Sequence, residues 1–293
     1  MELEHSTIET NGIKLHVVQA GPQSGIPVVL LHGFPEFWYG WRNQIPALAE
    51  AGCRVIVPDQ RGYNLSDKPK GTQNYGIFTL VADVIGLIDA LGYEKVNLVG
   101  HDWGAVVAWT LAILHPERLH RLSIMNVPHP AVMRKFLQRD FEQLRRSWYV
   151  FYFQLPWIPE LGMRVNNWRN LIGATRGTSK IGSFVNEDIE KYKKAWSQPD
   201  AMTSMINWYR AVIRYQPPMP KDPRVKVPTL MMWGMKDFAL THRMARPSMD
   251  YVDEGNLILF PEATHWVHLD AAEEVNHYLI DFIFDKASQI AIK

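Results

Sequence analysis

Apolar positions along this chain follow two periods, and the way they alternate sets the expected architecture. Ser6 to Thr10 and Lys14 to Gln19 alternate apolar and polar residues around Asn11-Gly12, a dipeptide favoured in tight hairpin turns, which predicts an opening β-hairpin. Short continuous apolar runs then recur at Val28 to Leu31, Val55 to Val57, Val96 to Val99, Leu122 to Met125, Leu230 to Trp233 and Leu257 to Phe260, with the look of buried strands. Segments of helical period lie between most of them. In Ile77 to Leu91, residues Leu80, Val81, Val84, Leu87, Ile88 and Leu91 share one face; Val106 to Leu114 and Val275 to Phe284 behave alike. Strand-helix alternation of this kind implies a parallel sheet with helices on both faces.

The alternation lapses from about Pro130 to Pro220, where the segments look helical, carry many aromatics and end in Pro217-Pro218-Met219-Pro220. Because the sheet pattern resumes at Leu230, this stretch is expected to be a helical lid inserted into one α/β unit. The expected division is a core from 1 to 129, a lid from 130 to 220 and the rest of the core from 221 to 293.

Composition narrows the function classes. With 47% hydrophobic and 21% charged residues over 293, the chain has enough apolar surface to bury a core and is not a disordered sequence. Lys and Arg number 31 against 30 Asp and Glu, so no long-range field gathers polyanions, and nucleic acid is not an expected partner. The densest basic stretch, Arg134-Lys135 through Arg145-Arg146, is interleaved with Phe136, Leu137, Phe141 and Leu144 and reads as a solvated helix face. The single cysteine, Cys53, opens an apolar run and reads as a buried small residue. Met1 to His5 lacks the pattern of a signal peptide, and no run approaches the ~18 apolar residues of a membrane span, so the expected location is cytoplasmic.

The chemistry gathers at strand ends. Val96 to Val99 runs into Gly100-His101-Asp102-Trp103-Gly104 and an apolar helix, the small-x-nucleophile-x-small pattern of a strand-to-helix elbow with a carboxylate at its centre. Taken alone, the pentapeptide reads equally well as an Asp capping the following helix. Its neighbours favour the elbow. Val28 to Leu31 ends in His32-Gly33-Phe34-Pro35, the next strand in Asp59-Gln60-Arg61-Gly62-Tyr63, and the two last strands in Trp233-Gly234-Met235-Lys236-Asp237 and Ala263-Thr264-His265-Trp266. The order nucleophile, acid, histidine is the one expected of an α/β-hydrolase fold.

On these segments, together with Glu36, Ser66-Asp67-Lys68-Pro69, Phe151-Tyr152-Phe153-Gln154-x-Pro156 and Asn207-Trp208-Tyr209-Arg210, nearly the whole chain resembles the epoxide hydrolases of the α/β-hydrolase family. Ala105 departs from the second glycine many members have there. The resemblance implies that Asp102 attacks the epoxide to form an ester, that His265 activates the water that cleaves it, and that Asp237 orients the imidazole. It also implies backbone N–H groups of Phe34 and Trp103 as an oxyanion hole, with Pro35 holding that loop rigid.

Opening an epoxide requires an acid for the departing alkoxide, and Tyr152 and Tyr209 are the expected phenols. Tyr149, one turn before Tyr152, competes with it, and Tyr209 sits on a helical apolar stripe that reads equally well as core. Phe34, Trp38, Trp103, Phe153, Trp157, Trp208 and Trp266 are candidates for the apolar wall of a pocket for a small uncharged epoxide, several of them simply packing. No metal or nucleotide motif appears, so the chemistry is expected to need only water. The competing readings are a haloalkane or haloacid dehalogenase on the same nucleophile and a non-catalytic ligand receptor on the same fold.

Overall fold

The computed structural model describes residues 2–215, 218 and 220–286. Pro217 and Met219 of the proline-rich stretch lie outside the described residues. Eight strands form one sheet: β1 (Glu4–Thr10), β2 (Ile13–Ala20), β3 (Ile26–Leu31), β4 (Cys53–Pro58), β5 (Val96–His101), β6 (Leu119–Met125), β7 (Thr229–Gly234) and β8 (Gly255–Phe260). Their spatial order is β1-β2-β4-β3-β5-β6-β7-β8. The first two strands are the expected hairpin. Asn11 and Gly12 both hold positive φ, +45° and +73°, and β2 pairs antiparallel with β1 and β4; all later neighbours are parallel.

The chain connects the strands through α1 (Gln44–Glu50), α2 (Ile77–Ala90), α3 (Trp103–Leu114), six helices between β6 and β7, and then α10 (Ala245–Met249), α11 (Val267–Asp270) and α12 (Ala272–Ile283). The six are α4 (Pro130–Arg139), α5 (Phe141–Arg146), α6 (Trp148–Tyr152), α7 (Ile158–Thr175), α8 (Asn186–Trp196) and α9 (Ala201–Arg214). Alternation along β3 divides the core into two layers. Val29 and Leu31 pack with Leu98, Ile124 and the α2 and α3 side, whereas Val28 and Leu30 pack with Val99, Leu230 and the α1 and α12 side. Both faces are covered, which is why the strands read as unbroken apolar runs. On α9, Met202, Met205 and Ile206 are buried, each contributing roughly 1.5–3 kcal/mol by leaving water.

Strand order positions the site. From β3 the chain moves outward to β4, then crosses back past β3 to β5, so the connections leaving β3 and β5 diverge. A crevice opens between the carboxyl ends of these two strands, where sheets of this kind bind ligands.

Two expectations about packing meet different outcomes. Cys53 is fully buried, and burial pushes its thiol up to about 11. The basic stretch is not simply a solvated face over packed apolar residues: Phe141 is 80% exposed and Leu144 is exposed as well, because α5 is short and turns both outward.

Candidate active site

The end of β5 enters α3 through Asp102, whose φ of +48° and ψ of −123° lie where a residue with a Cβ is strained. Close glycines make this turn possible. A Cβ on Gly104 would overlap the Leu31 carbonyl, and one on Gly33 would overlap the Asp102 side chain. Ala105 is fully buried and fits without glycine's freedom, its N–H donating to the Asp102 carbonyl at 2.9 Å. The Asp102 carboxylate therefore stands at the crevice rather than capping the helix, and α3 has no side-chain cap.

Three strand ends converge on it. From the β3 turn, the Phe34 N–H donates to Asp102 Oδ1 at 2.7 Å, and the Phe34-Pro35 peptide is cis. The turn after β8 brings His265 Nε2 to 3.4 Å from Asp102 Oδ2. On the other side of the ring, His265 Nδ1 lies 2.7 Å from Asp237 Oδ2. Asp237 is fixed in turn by N–H groups of Ala239 and Leu240 on Oδ1, at 2.7 and 2.9 Å. The two oxygens of Asp102 thus have different surroundings: Oδ1 accepts from backbone, and Oδ2 faces the imidazole.

The electrostatics follow from burial and these contacts. Burial alone would push the Asp102 carboxyl up, but the hydrogen bond and charge of His265, with the Phe34 N–H, hold it below the usual value. Burial would likewise lower His265, yet the carboxylates of Asp237 and Asp102 raise it to about 10. Both shifts favour a protonated imidazole between the two carboxylates.

Sequence reasoning missed Asn126, the residue after β6. Its Nδ2 donates to Asp237 Oδ2 at 2.8 Å while its Oδ1 accepts from the Gly234 N–H at 3.0 Å, and its φ is +54°. The signal was available: Asn126 ends a strand between two others that carry the triad, in a backbone region asparagine tolerates.

A buried layer supports the histidine turn. His101 Nε2 donates to the His265 carbonyl at 2.9 Å, its Nδ1 lies 3.1 Å from Glu36 Oε2, and Tyr192 donates to Glu36 Oε1 at 2.9 Å. Glu36, His101 and His268 also have the spacing of metal ligands, within 4.8 Å, with His101 Nδ1 and His268 Nε2 both turned to the Glu36 carboxylate at 3.1 and 3.4 Å. The second strand-end turn serves structure: Gln60 bonds both the ring and the carbonyl of His32, which steadies the Phe34 loop.

The candidate phenols are not placed as the sequence reading expected. Tyr209 is buried on α9, and Tyr149, not Tyr152, stands beside it, with ring centroids 5.8 Å apart and planes at 82°. Burial, and next the Asp102 charge, raise the hydroxyl groups of both Tyr149 and Tyr209. The Tyr152 hydroxyl turns outward and donates to the Ile158 carbonyl at 3.4 Å. The physical reason is helical spacing: three residues along α6 rotate the side chain by most of a turn, and the first tyrosine is the one over the crevice.

The cavity, about 860 Å³, is bounded by Phe34, Asp102, Tyr149, Tyr152, Phe153, Tyr209, Phe238, His265 and Trp266, with Trp148, Met163, Leu171, Arg145, Arg146 and Lys236 also in its lining. Of the expected wall residues, Phe34, Phe153 and Trp266 line it; Trp38, Trp103, Trp157 and Trp208 do not. Trp208 is fully buried with its indole N–H on the Arg61 carbonyl, Trp103 packs edge-on to Tyr209 at 4.9 Å, Trp38 packs against His5, and Trp157 is 75% exposed.

A family model described as "alpha/beta hydrolase fold" matches residues 26–272. The chain belongs to the α/β-hydrolase fold family. It is 46% identical over 276 residues to the AB hydrolase superfamily protein YfhM of Bacillus subtilis, covering 94% of this chain and 96% of that protein. It is 37% identical to human epoxide hydrolase 4, over 94% of this chain and 77% of that one. Among solved structures, a Bacillus megaterium epoxide hydrolase in complex with an inhibitor superposes with a TM-score of 0.87 at 29% identity, covering 95% of this chain and all of that one.

Proposed function

We propose that this chain is an epoxide hydrolase that converts an uncharged epoxide and water into a vicinal diol through an ester on Asp102. The observation that carries this reading is a carboxylate nucleophile and two phenols, half-buried Tyr149 and buried Tyr209, lining one cavity. Asp102 Oδ2 attacks a ring carbon, its C–O bond forms as the ring C–O bond breaks, and a phenol gives its proton to the departing alkoxide. Tyr149 and Tyr209 are the proton donors in this reading, and Tyr149 replaces Tyr152 in that role.

Esterification changes the electrostatics in the direction the second step needs. Once Asp102 is an ester, one of the two charges that raise His265 is gone, and the imidazole loses its proton more readily, to the phenolate left by the first step. Neutral His265, oriented by Asp237, then takes a proton from water, whose oxygen attacks the Asp102 carbonyl carbon. The developing oxyanion sits at Oδ1, against the Phe34 N–H and, in the family pattern, that of Trp103, contacts of a type worth about 10²–10³-fold each. On collapse the C–O bond to the substrate oxygen breaks, the imidazolium protonates that oxygen to give the diol, and the carboxylic acid left on Asp102 gives its proton to the imidazole.

The helices from 130 to 220 act as the lid on this site, between core segments 1–129 and 221–293. The lone, buried Cys53 fits a reducing compartment, and the cytoplasm is the proposed location. A panel of aryl and aliphatic epoxides with diol analysis, run beside haloalkanes with halide detection, tests the assignment. Multiple turnovers to diol support it. Halide release without diol would make the chain a dehalogenase, and binding without turnover a receptor.

A further inference from the structure

We propose that the outer surface of the segment 130–185 is a docking face for an anionic lipid bilayer. Two independent features of that segment coincide. The first is apolar: Phe141, Trp148, Phe151, Trp157, Ile158 and Leu161 are each more than half exposed. Scattered apolar residues on a surface need no explanation, but Trp148, Phe151, Trp157, Ile158 and Leu161 fall within one stretch of fourteen residues whose parts are held together. Tyr152 ties α6 to the start of α7 through the Ile158 carbonyl and packs on Trp148 at 5.9 Å, while Arg210 holds the intervening loop by the Leu155 carbonyl. Helix α6, the loop and the first turn of α7 are therefore held together, and Arg145, Trp148 and Met163 also line the cavity.

The second feature is charge. Between residues 130 and 185 nine basic side chains stand against three acidic ones, in a chain whose totals are 31 and 30. The three acids are already engaged, Glu160 with Arg210, and Asp140 and Glu142 with Arg243. Arg139, Arg164 and Arg169 are exposed and have no ion-pair partner among the described residues. Tryptophan and phenylalanine among free arginines match the interface of an anionic membrane, where indole rings sit at headgroup depth and each cation is attracted by the surface potential. Among the described residues no helix is long and apolar enough to cross a membrane, so the contact is peripheral.

The proposal goes beyond epoxide hydrolysis, and its test reads binding without turnover. Flotation of the whole chain with vesicles of roughly one-third phosphatidylglycerol in phosphatidylcholine should carry it upward with a blue shift of tryptophan emission, and pure phosphatidylcholine should bind about tenfold more weakly or less. High salt should release it. Neutralising Arg139, Arg164 and Arg169 to Gln should weaken partition about 10²-fold, and the triple change F141S, W157N, L161S should abolish it, with thermal unfolding and turnover of a water-soluble epoxide unchanged. Absence of partition into the anionic vesicles by the unaltered chain would overturn the proposal. So would sedimentation showing a dimer in free solution that the same triple change dissociates, since the patch would then be covered by a second copy of the chain.

Discussion

The rings of Tyr149 and Tyr209 meet edge-on, 5.8 Å between centroids, with the charge of Asp102 close enough to raise both hydroxyl groups. Phenols held this way remain protonated until an alkoxide, a far stronger base, forms beside them. Each single change Tyr149→Phe or Tyr209→Phe should therefore slow ester formation by about 10²–10³-fold, and the double change should leave almost none. Tyr152→Phe removes only the outward bond to Ile158 and should leave turnover essentially unchanged. Single-turnover tryptophan quenching on rapid mixing with epoxide measures the step. A slow Tyr152→Phe variant beside a normal Tyr149→Phe variant would restore the opposite assignment.

Much of this site is legible along the chain because strand ends are legible. Asp102, Phe34, Asp237 and His265 each follow an apolar run and a glycine or polar turn, and the sheet brings such ends together whatever the details of packing. The choice between Tyr149 and Tyr152 depends on the rotation of a five-residue helix, which no period fixes over so short a span. The wall residues fail for a related reason. An indole contributes large apolar area wherever it is placed, so Trp208 under Arg61 and Trp157 in water have the same sequence signature as Trp266 at the cavity. Asn126 was overlooked because its role is to hold Asp237, a contact between positions 111 residues apart.

His265→Gln separates the two chemical steps. Asp102 keeps its N–H donor from Phe34 and still attacks, but the water has lost its base, and the ester should persist. Intact mass measured after mixing with excess epoxide should show one covalent adduct per chain, absent in Asp102→Ala. Hydrolysis slows by about 10²–10⁴-fold, the usual worth of a positioned base. Unmodified protein with normal turnover would remove His265 from the mechanism.

Asn126→Ala acts through Asp237 rather than on the substrate. It deletes the 2.8 Å donor to Asp237 and strands the buried Gly234 N–H, a loss of about 1–3 kcal/mol in stability. Because Asp237 orients the imidazole only, ester formation should change little and ester hydrolysis should slow. Urea unfolding measures the first effect and burst kinetics the second. Equal slowing of both steps would mean that Asn126 supports the whole crevice and not the His265 turn.

The raised imidazole links the site to pH-dependent stability. His265 stands at about 10 in the folded chain against an ordinary 6.5, so the folded state binds its proton more tightly than the unfolded state. Its contribution to stability is complete below pH 6.5 and is lost as the pH climbs through 10, at up to ~1.4 kcal/mol per pH unit for a single proton. Unfolding free energies measured in urea from neutral to alkaline pH should fall more steeply for the unaltered chain than for His265→Gln, which has no proton to lose. Asp102→Asn removes one of the two carboxylates that raise the ring, so its imidazole resonances should titrate below those of the unaltered chain while Asp237 keeps them above the ordinary value. Parallel stability profiles for the unaltered chain and His265→Gln would show that the histidine does not carry this charge, and the imidazolium resting state would fail with it.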